Sequence, residues 1–136
     1  MWPESGSETV LVVDDEISVI SLAHAMLRRY GYTVIAANSS REALRLVEVW
    51  PGLEIDLAIL DIVMSGIDGF ELAERLRKRI PGLPILYMSA YSEKEDMRPD
   101  TTADVPFLAK PFTAAQLAKK VRLILDAQRK VISAAS

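Results

Sequence analysis

The sequence predicts a doubly wound α/β sandwich, a parallel sheet covered by helices on both faces. Three observations carry that expectation. Short, continuous apolar runs recur along the chain, and runs without polar alternation belong to strands buried on both faces. Segments with apolar residues at helical spacing separate these runs, so strand and helix alternate from end to end, as crossover connections require. The chain has 136 residues, 50% hydrophobic and 26% charged, which suits one domain with a core of its own.

The first strand is Val10-Leu11-Val12-Val13, which runs into Asp14-Asp15. A helix over residues 17–30 follows, with Val19, Ala23, Met26 and Tyr30 on one side and Gly31 as its stop. Residues 33–37 are β-branched and apolar and form the second strand. Ser39 or Ser40 caps a helix that reaches Trp50, with Ala43, Val47 and Trp50 aligned, until Pro51-Gly52 breaks it. Leu57-Ala58-Ile59-Leu60 then runs into Asp61, and a loop continues through Gly66. Asp68 caps the next helix, whose expected buried stripe is Phe70, Ala73, Leu76 and Ile80. Ile85-Leu86-Tyr87-Met88 ends at Ser89.

Residues 92–104 are polar and interrupted by Pro99, so any helix there is short, with Glu93-Lys94-Glu95-Asp96 as its solvated start. Residues 105–109 form the fifth strand, which runs into Lys110. Thr113 opens the last helix, where Leu117, Val121, Ile124 and Gln128 lie in line beside Ala118 and Leu125. Five βα units with right-handed crossovers result. Residues 1–8 read as a flexible lead-in, 9–130 as the domain and 131–136 as a tail.

Bulk properties exclude several functions. A net charge of −3 and an isoelectric point near 5.2 argue against a nucleic-acid surface, which calls for a basic patch. Without cysteine there is neither a disulfide framework nor a Cys-based zinc site. No apolar stretch approaches the ~20 residues of a membrane span. The first residues lack the basic and apolar regions of a secretory signal, so the expected address is cytoplasmic.

In a parallel sheet the carboxyl ends of the strands share one edge, and ligands bind there. Asp14, Asp15, Asp61, Ser89 and Lys110 all stand at strand ends. Three carboxylates with no histidine nearby suit Mg²⁺ or Mn²⁺ rather than zinc. Such a cation relieves the acids' mutual repulsion and neutralises an incoming phosphoryl group. One carboxylate is then a nucleophile, Lys110 a point charge for a phosphoryl oxygen, and Ser89 a hydrogen-bond donor to another. Each residue also has a plainer reading. Asp15 could be only a helix cap, Asp61 a turn residue, Ser89 a strand end and Lys110 a solvated edge residue. Phe107 could be core alone. His24, the one histidine, reads as structural.

The segments Val12-Val13-Asp14-Asp15-Glu16, Leu60-Asp61-Ile62-Val63-Met64, Met88-Ser89-Ala90-Tyr91 and Lys110-Pro111-Phe112 together resemble the receiver domain of two-component response regulators, over residues 9–127. The resemblance implies a flavodoxin-like (βα)5 fold of strand order 2-1-3-4-5, an order that general knowledge of the chemotaxis receiver supplies. It implies Asp61 as phosphoacceptor and Asp14, Asp15, Asp61 and the Val63 backbone carbonyl as Mg²⁺ ligands. Ser89 and Lys110 become phosphoryl-binding residues, Phe107 the switch aromatic, and the Lys110–Pro111 bond cis.

The implied partners are a sensor histidine kinase or phosphotransfer protein, and a downstream partner at the face of residues 92–104, 105–109 and 113–128. A phosphorylation-dependent homodimer stays open. The loop after Asp61 reads Met64-Ser65-Gly66 where the family often has Met-Pro-Gly. Val63 and Tyr91, which flank the phosphoryl position, are expected to hinder hydrolytic water and lengthen the phosphorylated state.

Residues 6–9 and 87–91 also look like the receiver of a hybrid sensor histidine kinase. A Mg²⁺-dependent hydrolase of the haloacid dehalogenase type would need a second Asp two positions after Asp61, where Val63 stands. No nucleotide-binding glycine motif follows the first strand.

Overall fold

The computed structural model describes residues 5–90 and 106–135, with side chains as far as Arg129. Strands β1 (Thr9–Val13), β2 (Thr33–Ala37), β3 (Leu57–Asp61), β4 (Ile85–Ala90) and β5 (Phe107–Lys110) form one parallel sheet of order β2-β1-β3-β4-β5. This is the expected flavodoxin-like order. Helices α1 (Ile17–Arg29), α2 (Ser40–Val49), α3 (Gly69–Arg79) and α4 (Ala114–Ala135) complete the described elements. The helix expected within residues 92–104 lies outside the described residues.

The strand pattern divides the core. Val10 and Val12 of β1, Leu57 and Ile59 of β3, and Leu86 and Met88 of β4 face α1 and α4. Leu11, Val13, Ala58, Leu60, Ile85 and Tyr87 face α2 and α3. All five residues of β3 are buried, as befits a strand inside a doubly covered sheet. Full burial of each Leu or Ile side chain contributes about 1.5–3 kcal/mol, so the central strands are the stiffest frame available for a site.

Local chemistry sets the helix starts. Ser39 Oγ accepts from Glu42 N (3.1 Å) and caps α2, while Asp68 Oδ1 accepts from Glu71 N (2.8 Å) and caps α3. Thr113 and Gln116 form a reciprocal box before α4, with Gln116 N donating to Thr113 Oγ1 at 3.1 Å and Thr113 N to Gln116 Oε1 at 2.8 Å. No side chain caps α1, whose N-cap residue is Glu16. The reading of Asp15 as a mere cap therefore fails.

Four expectations need correction. Residues 5–8 are docked rather than free: Gly6 N donates to Tyr30 O (2.9 Å), and Thr33 N to Glu8 O (3.0 Å). Arg122 of α4 holds Glu8 at 2.6 Å and donates to the Ser5 carbonyl. The expected tail is helical, since α4 runs to Ala135. Trp50 does not extend the line of Ala43 and Val47: α2 ends at Val49, and Trp50 is 51% exposed. The buried face of α3 is Gly69, Leu72, Ala73 and Leu76, with Phe70 and Ile80 at its margins. Among the described residues no helix is long and apolar enough to cross a membrane.

Candidate functional site

The ends of β1 and β3 lie side by side in the sheet, with Val13 opposite Leu60. That adjacency brings Asp14, Asp15 and Asp61 together, with one carboxylate oxygen of each within 4.8 Å of the others. Asp14 is fully buried, Asp61 is 2% exposed, and Asp15 faces solvent. Asp14 is anchored on both sides: its backbone N–H donates to Ala37 O at 3.3 Å, and its Oδ1 accepts from Glu16 N at 2.9 Å.

Lys110 reaches the cluster from the end of β5. Its Nζ lies 2.7 Å from Asp14 Oδ2, 3.5 Å from Asp61 Oδ1 and 3.8 Å from Glu16 Oε1. The Asp14 contact is an ion pair by distance whose angle falls short of a well-directed hydrogen bond. Burial, the largest influence, lowers the lysine's proton affinity, but the carboxylates of Asp14, Asp61 and Glu16 together outweigh it. The ammonium is held above the usual lysine range. The Lys110–Pro111 bond is cis, as the resemblance implied.

Ser89 is fully buried at the end of β4, and its Oγ donates to Ala90 O at 2.9 Å. Phe107 opposes Tyr87 in the sheet and is half-buried against the α2/α3-side core. Val63 sits 52% exposed in the loop after Asp61, while Tyr91 lies outside the described residues. Beside Lys110 a groove of about 360 Å³ opens, lined by Val19, Leu22, Pro111 and Phe112 among others. His24 is half-buried on α1 and is not part of the acidic cluster.

Two contributors were not singled out from the sequence. Glu16 adds an exposed carboxylate next to Lys110, and the run Asp14-Asp15-Glu16 was the available signal. Gly69 opens α3 directly on the Asp61 backbone: a Cβ there would intrude on the Asp61 carbonyl oxygen and stand 3.0 Å from Ile62 Cα. Its N–H donates to Ile62 O at 2.9 Å, which closes the loop.

The donor set fits a hard divalent cation. It offers three carboxylates and no imidazole or thiolate, and Asp14 Oδ2 is buried without a well-directed hydrogen bond.

A doubly wound sheet with acids and a lysine at its carboxyl edge defines a receiver-type α/β protein. The family model described as the response regulator receiver domain matches residues 10–122. The chain belongs to that family, the receivers of two-component systems. It is 40% identical over 126 residues to the sensor kinase CckA of Brucella abortus, a match covering 91% of this chain and 13% of that protein. It is 35% identical to the transcriptional regulatory protein PhoP of Bacillus subtilis, covering 88% of this chain and 49% of that one. The chain thus spans about half, or much less, of these relatives. Among solved structures, the receiver domain of the hybrid histidine kinase CckA superposes with a TM-score of 0.71 at 35% identity, covering 86% of this chain and 98% of that one. A CheY-like receiver from Methanospirillum hungatei superposes at 0.77 with 28% identity, covering 92% and 98%.

Proposed function

We propose that this receiver accepts a phosphoryl group on Asp61 from the phosphohistidine of a sensor kinase or phosphotransfer protein and presents the change to a downstream partner. The observation that carries the reading is the convergence of Asp14, Asp15 and Asp61 within 4.8 Å, with the Lys110 ammonium beside two of them.

In the transfer, an Asp61 carboxylate oxygen attacks phosphorus. The P–O bond forms as the donor's P–N bond breaks, and the imidazole nitrogen leaves with the bonding pair. Asp14, Asp15, Asp61 and the Val63 backbone carbonyl would hold Mg²⁺ or Mn²⁺, which supplies positive charge against the phosphoryl oxygens. Lys110 turns its ammonium from the carboxylates to one phosphoryl oxygen. The Ser89 hydroxyl leaves the Ala90 carbonyl and donates to another. Phe107 follows Ser89 inward and alters the face of β5 and the 113–128 part of α4; residues 92–104, expected to share that face, lie outside the described residues. This is a two-state switch biased by a local charge change.

The groove by Lys110, with Leu22 49% and neighbouring Ile17 67% exposed, offers the donor an apolar seat next to the site. A cytoplasmic address belongs to the same reading, and self-association on phosphorylation is one use of the output face.

Acetyl phosphate with Mg²⁺, followed by intact mass, tests the proposal. One added phosphoryl is expected, lost in Asp61→Asn and in chelator. An unmodified parent protein, or labelling that survives Asp61→Asn, refutes it.

The identity with sensor kinase CckA favours a second setting for the same chemistry, a receiver module within a hybrid sensor histidine kinase. An ATP-binding kinase module encoded upstream in the same gene would establish it.

A further inference from the structure

We propose that Ser40 is a positioning residue for the loop that carries the Val63 carbonyl, and that the β2–α2 corner acts as a bracket across the acidic site. The inference rests on reading that site as a metal-dependent phosphoacceptor.

The loop leaves β3 directly after Asp61 and returns at Gly69. Its two ends are held by Gly69 N donating to Ile62 O and by the Asp68 cap on Glu71 N. Between these ends Ser40 Oγ reaches across from α2. It donates to Ile67 O at 3.0 Å and lies 4.0 Å from Met64 Sδ. Ile62 and Met64 sink into the core on either side of Val63, but the stretch between Met64 and Ile67 has no such anchor: Ser65 and Gly66 are exposed, and Gly66 turns the chain at φ +85°.

Ser40 is 3% exposed, although a serine in the first turn of a helix ordinarily caps it or faces water. Ser39 already caps α2. The two adjacent serines therefore divide the work, one for the helix and one for the loop. A buried hydroxyl costs free energy unless it is hydrogen-bonded, and the bond that satisfies this one goes to the loop. The other arm of the bracket lies three residues earlier, where Ala37 O accepts from Asp14 N at 3.3 Å. One corner thus touches both walls of the site, the end of β1 and the loop after β3.

Loss of the hydroxyl frees the Ile67 carbonyl and lets the loop sample more positions. Ordering the loop must then accompany cation binding, so affinity falls. Asp61, Ser89 and Lys110 are untouched, so phosphoryl transfer at saturating Mg²⁺ stays as it was.

The test compares the full chain with Ser40→Ala and Ser40→Cys. The cysteine fills the same space with a weak donor. Mg²⁺ affinity is measured by calorimetry, amide hydrogen exchange at residues 62–69 in chelator, and acetyl phosphate labelling across Mg²⁺ concentration. Ser40→Ala should raise the Mg²⁺ dissociation constant about three- to tenfold, the range one hydrogen bond of ordinary net strength commands. It should speed exchange in the loop and leave the maximal labelling rate unchanged, with Ser40→Cys in between. Parent-like Mg²⁺ affinity and loop exchange in Ser40→Ala overturn the proposal, even if that variant melts lower. A reduced maximal rate with unchanged affinity overturns it too. A parent chain that takes up neither Mg²⁺ nor phosphoryl overturns the functional reading itself, an outcome distinct from failure of the bracket alone.

Discussion

Replacing Asp61 with asparagine should stabilise the metal-free protein, and the structure shows that repulsion is not the main reason. Asp14 and Asp61, with oxygens within 4.8 Å, repel by about 3.5 kcal/mol at an effective dielectric near 20. Asp15 is exposed and adds only about 1 kcal/mol after screening. Against this, Lys110 Nζ at 3.5 Å from Asp61 Oδ1 attracts by about 4.7 kcal/mol. The pair interactions cancel to within about 1 kcal/mol. What remains is the desolvation of a carboxylate that is 2% exposed, several kcal/mol even after relaxation. An amide in the same place carries a smaller penalty, about 1–3 kcal/mol where its partners are imperfect. The balance favours asparagine by about 2 kcal/mol.

Scanning calorimetry in chelator reads this directly. For a domain of this size 2 kcal/mol corresponds to a rise in Tm of about 6–10 °C. Saturating Mg²⁺ should narrow or invert the gap, because the parent with its full carboxylate set gains about 2.7 kcal/mol at a hundred times its Kd and the variant gains less. An Asp61→Asn variant that melts at or below the parent in chelator would show that Lys110 more than compensates the buried charge. The picture of a site held together at a cost would then be wrong.

Three further outcomes follow from the structure. The Arg122 guanidinium holds the Glu8 carboxyl down to about 2 from an ordinary 4.5, with partial burial opposing it. A depressed carboxylate stabilises above its unfolded value and loses that contribution as pH falls toward its folded one. The clasp should therefore contribute roughly 1–2 kcal/mol above pH 4.5, after discounting for solvent, and fade between about 4.5 and 2; urea unfolding of Arg122→Leu should lack that slope, and an unchanged slope would count against the clasp. Gly69→Ala should cost about 1–3 kcal/mol despite alanine's better helix propensity, because the new Cβ meets the backbone of Asp61 and Ile62, and acetyl phosphate labelling should slow as Asp61 shifts; a variant at least as stable as the parent, with full labelling, would deny the close approach. Val63→Asn puts a polar group at a 52% exposed position beside Asp61, and decay of the phosphorylated form should quicken severalfold; unchanged or slower decay would remove Val63 as a shield against water.

What could be read from the sequence follows from how far each feature reaches along the chain. The central strands were legible because burial on both faces forces an unbroken apolar run, as in Leu57-Ala58-Ile59-Leu60, and the site was legible because its side chains stand where those runs stop. Features defined by distant partners were not. Residues 5–8 look like a solvated lead-in by composition, and what docks them is the backbone of Tyr30 and Thr33 together with Arg122, more than a hundred positions away. Helical spacing aligned Phe70, Ala73 and Leu76, but the inward face of α3 also holds Leu72 and Gly69, the latter packed against the Asp61 backbone, a contact no spacing rule reveals. Trp50 carries the bulk of a core residue and yet follows the last turn of α2, where no layer covers it.

Lys110 brings these strands of reasoning together. Its residue type and place suggest a phosphoryl-binding point charge, and nothing in the sequence says what the ammonium does beforehand. The structure puts it 2.7 Å from Asp14 and 3.5 Å from Asp61, where it neutralises much of the charge a divalent cation would neutralise. On the proposed reading, Asp14 and Asp61 would share their charge between the ammonium and a bound cation, and Lys110, still anchored by β5, would then turn toward the incoming phosphoryl oxygens. One side chain would thus serve as counter-ion in the metal-free state and as phosphoryl ligand in the loaded one. Because β5 also carries Phe107, a displacement of the lysine would act on the same strand as the proposed switch aromatic.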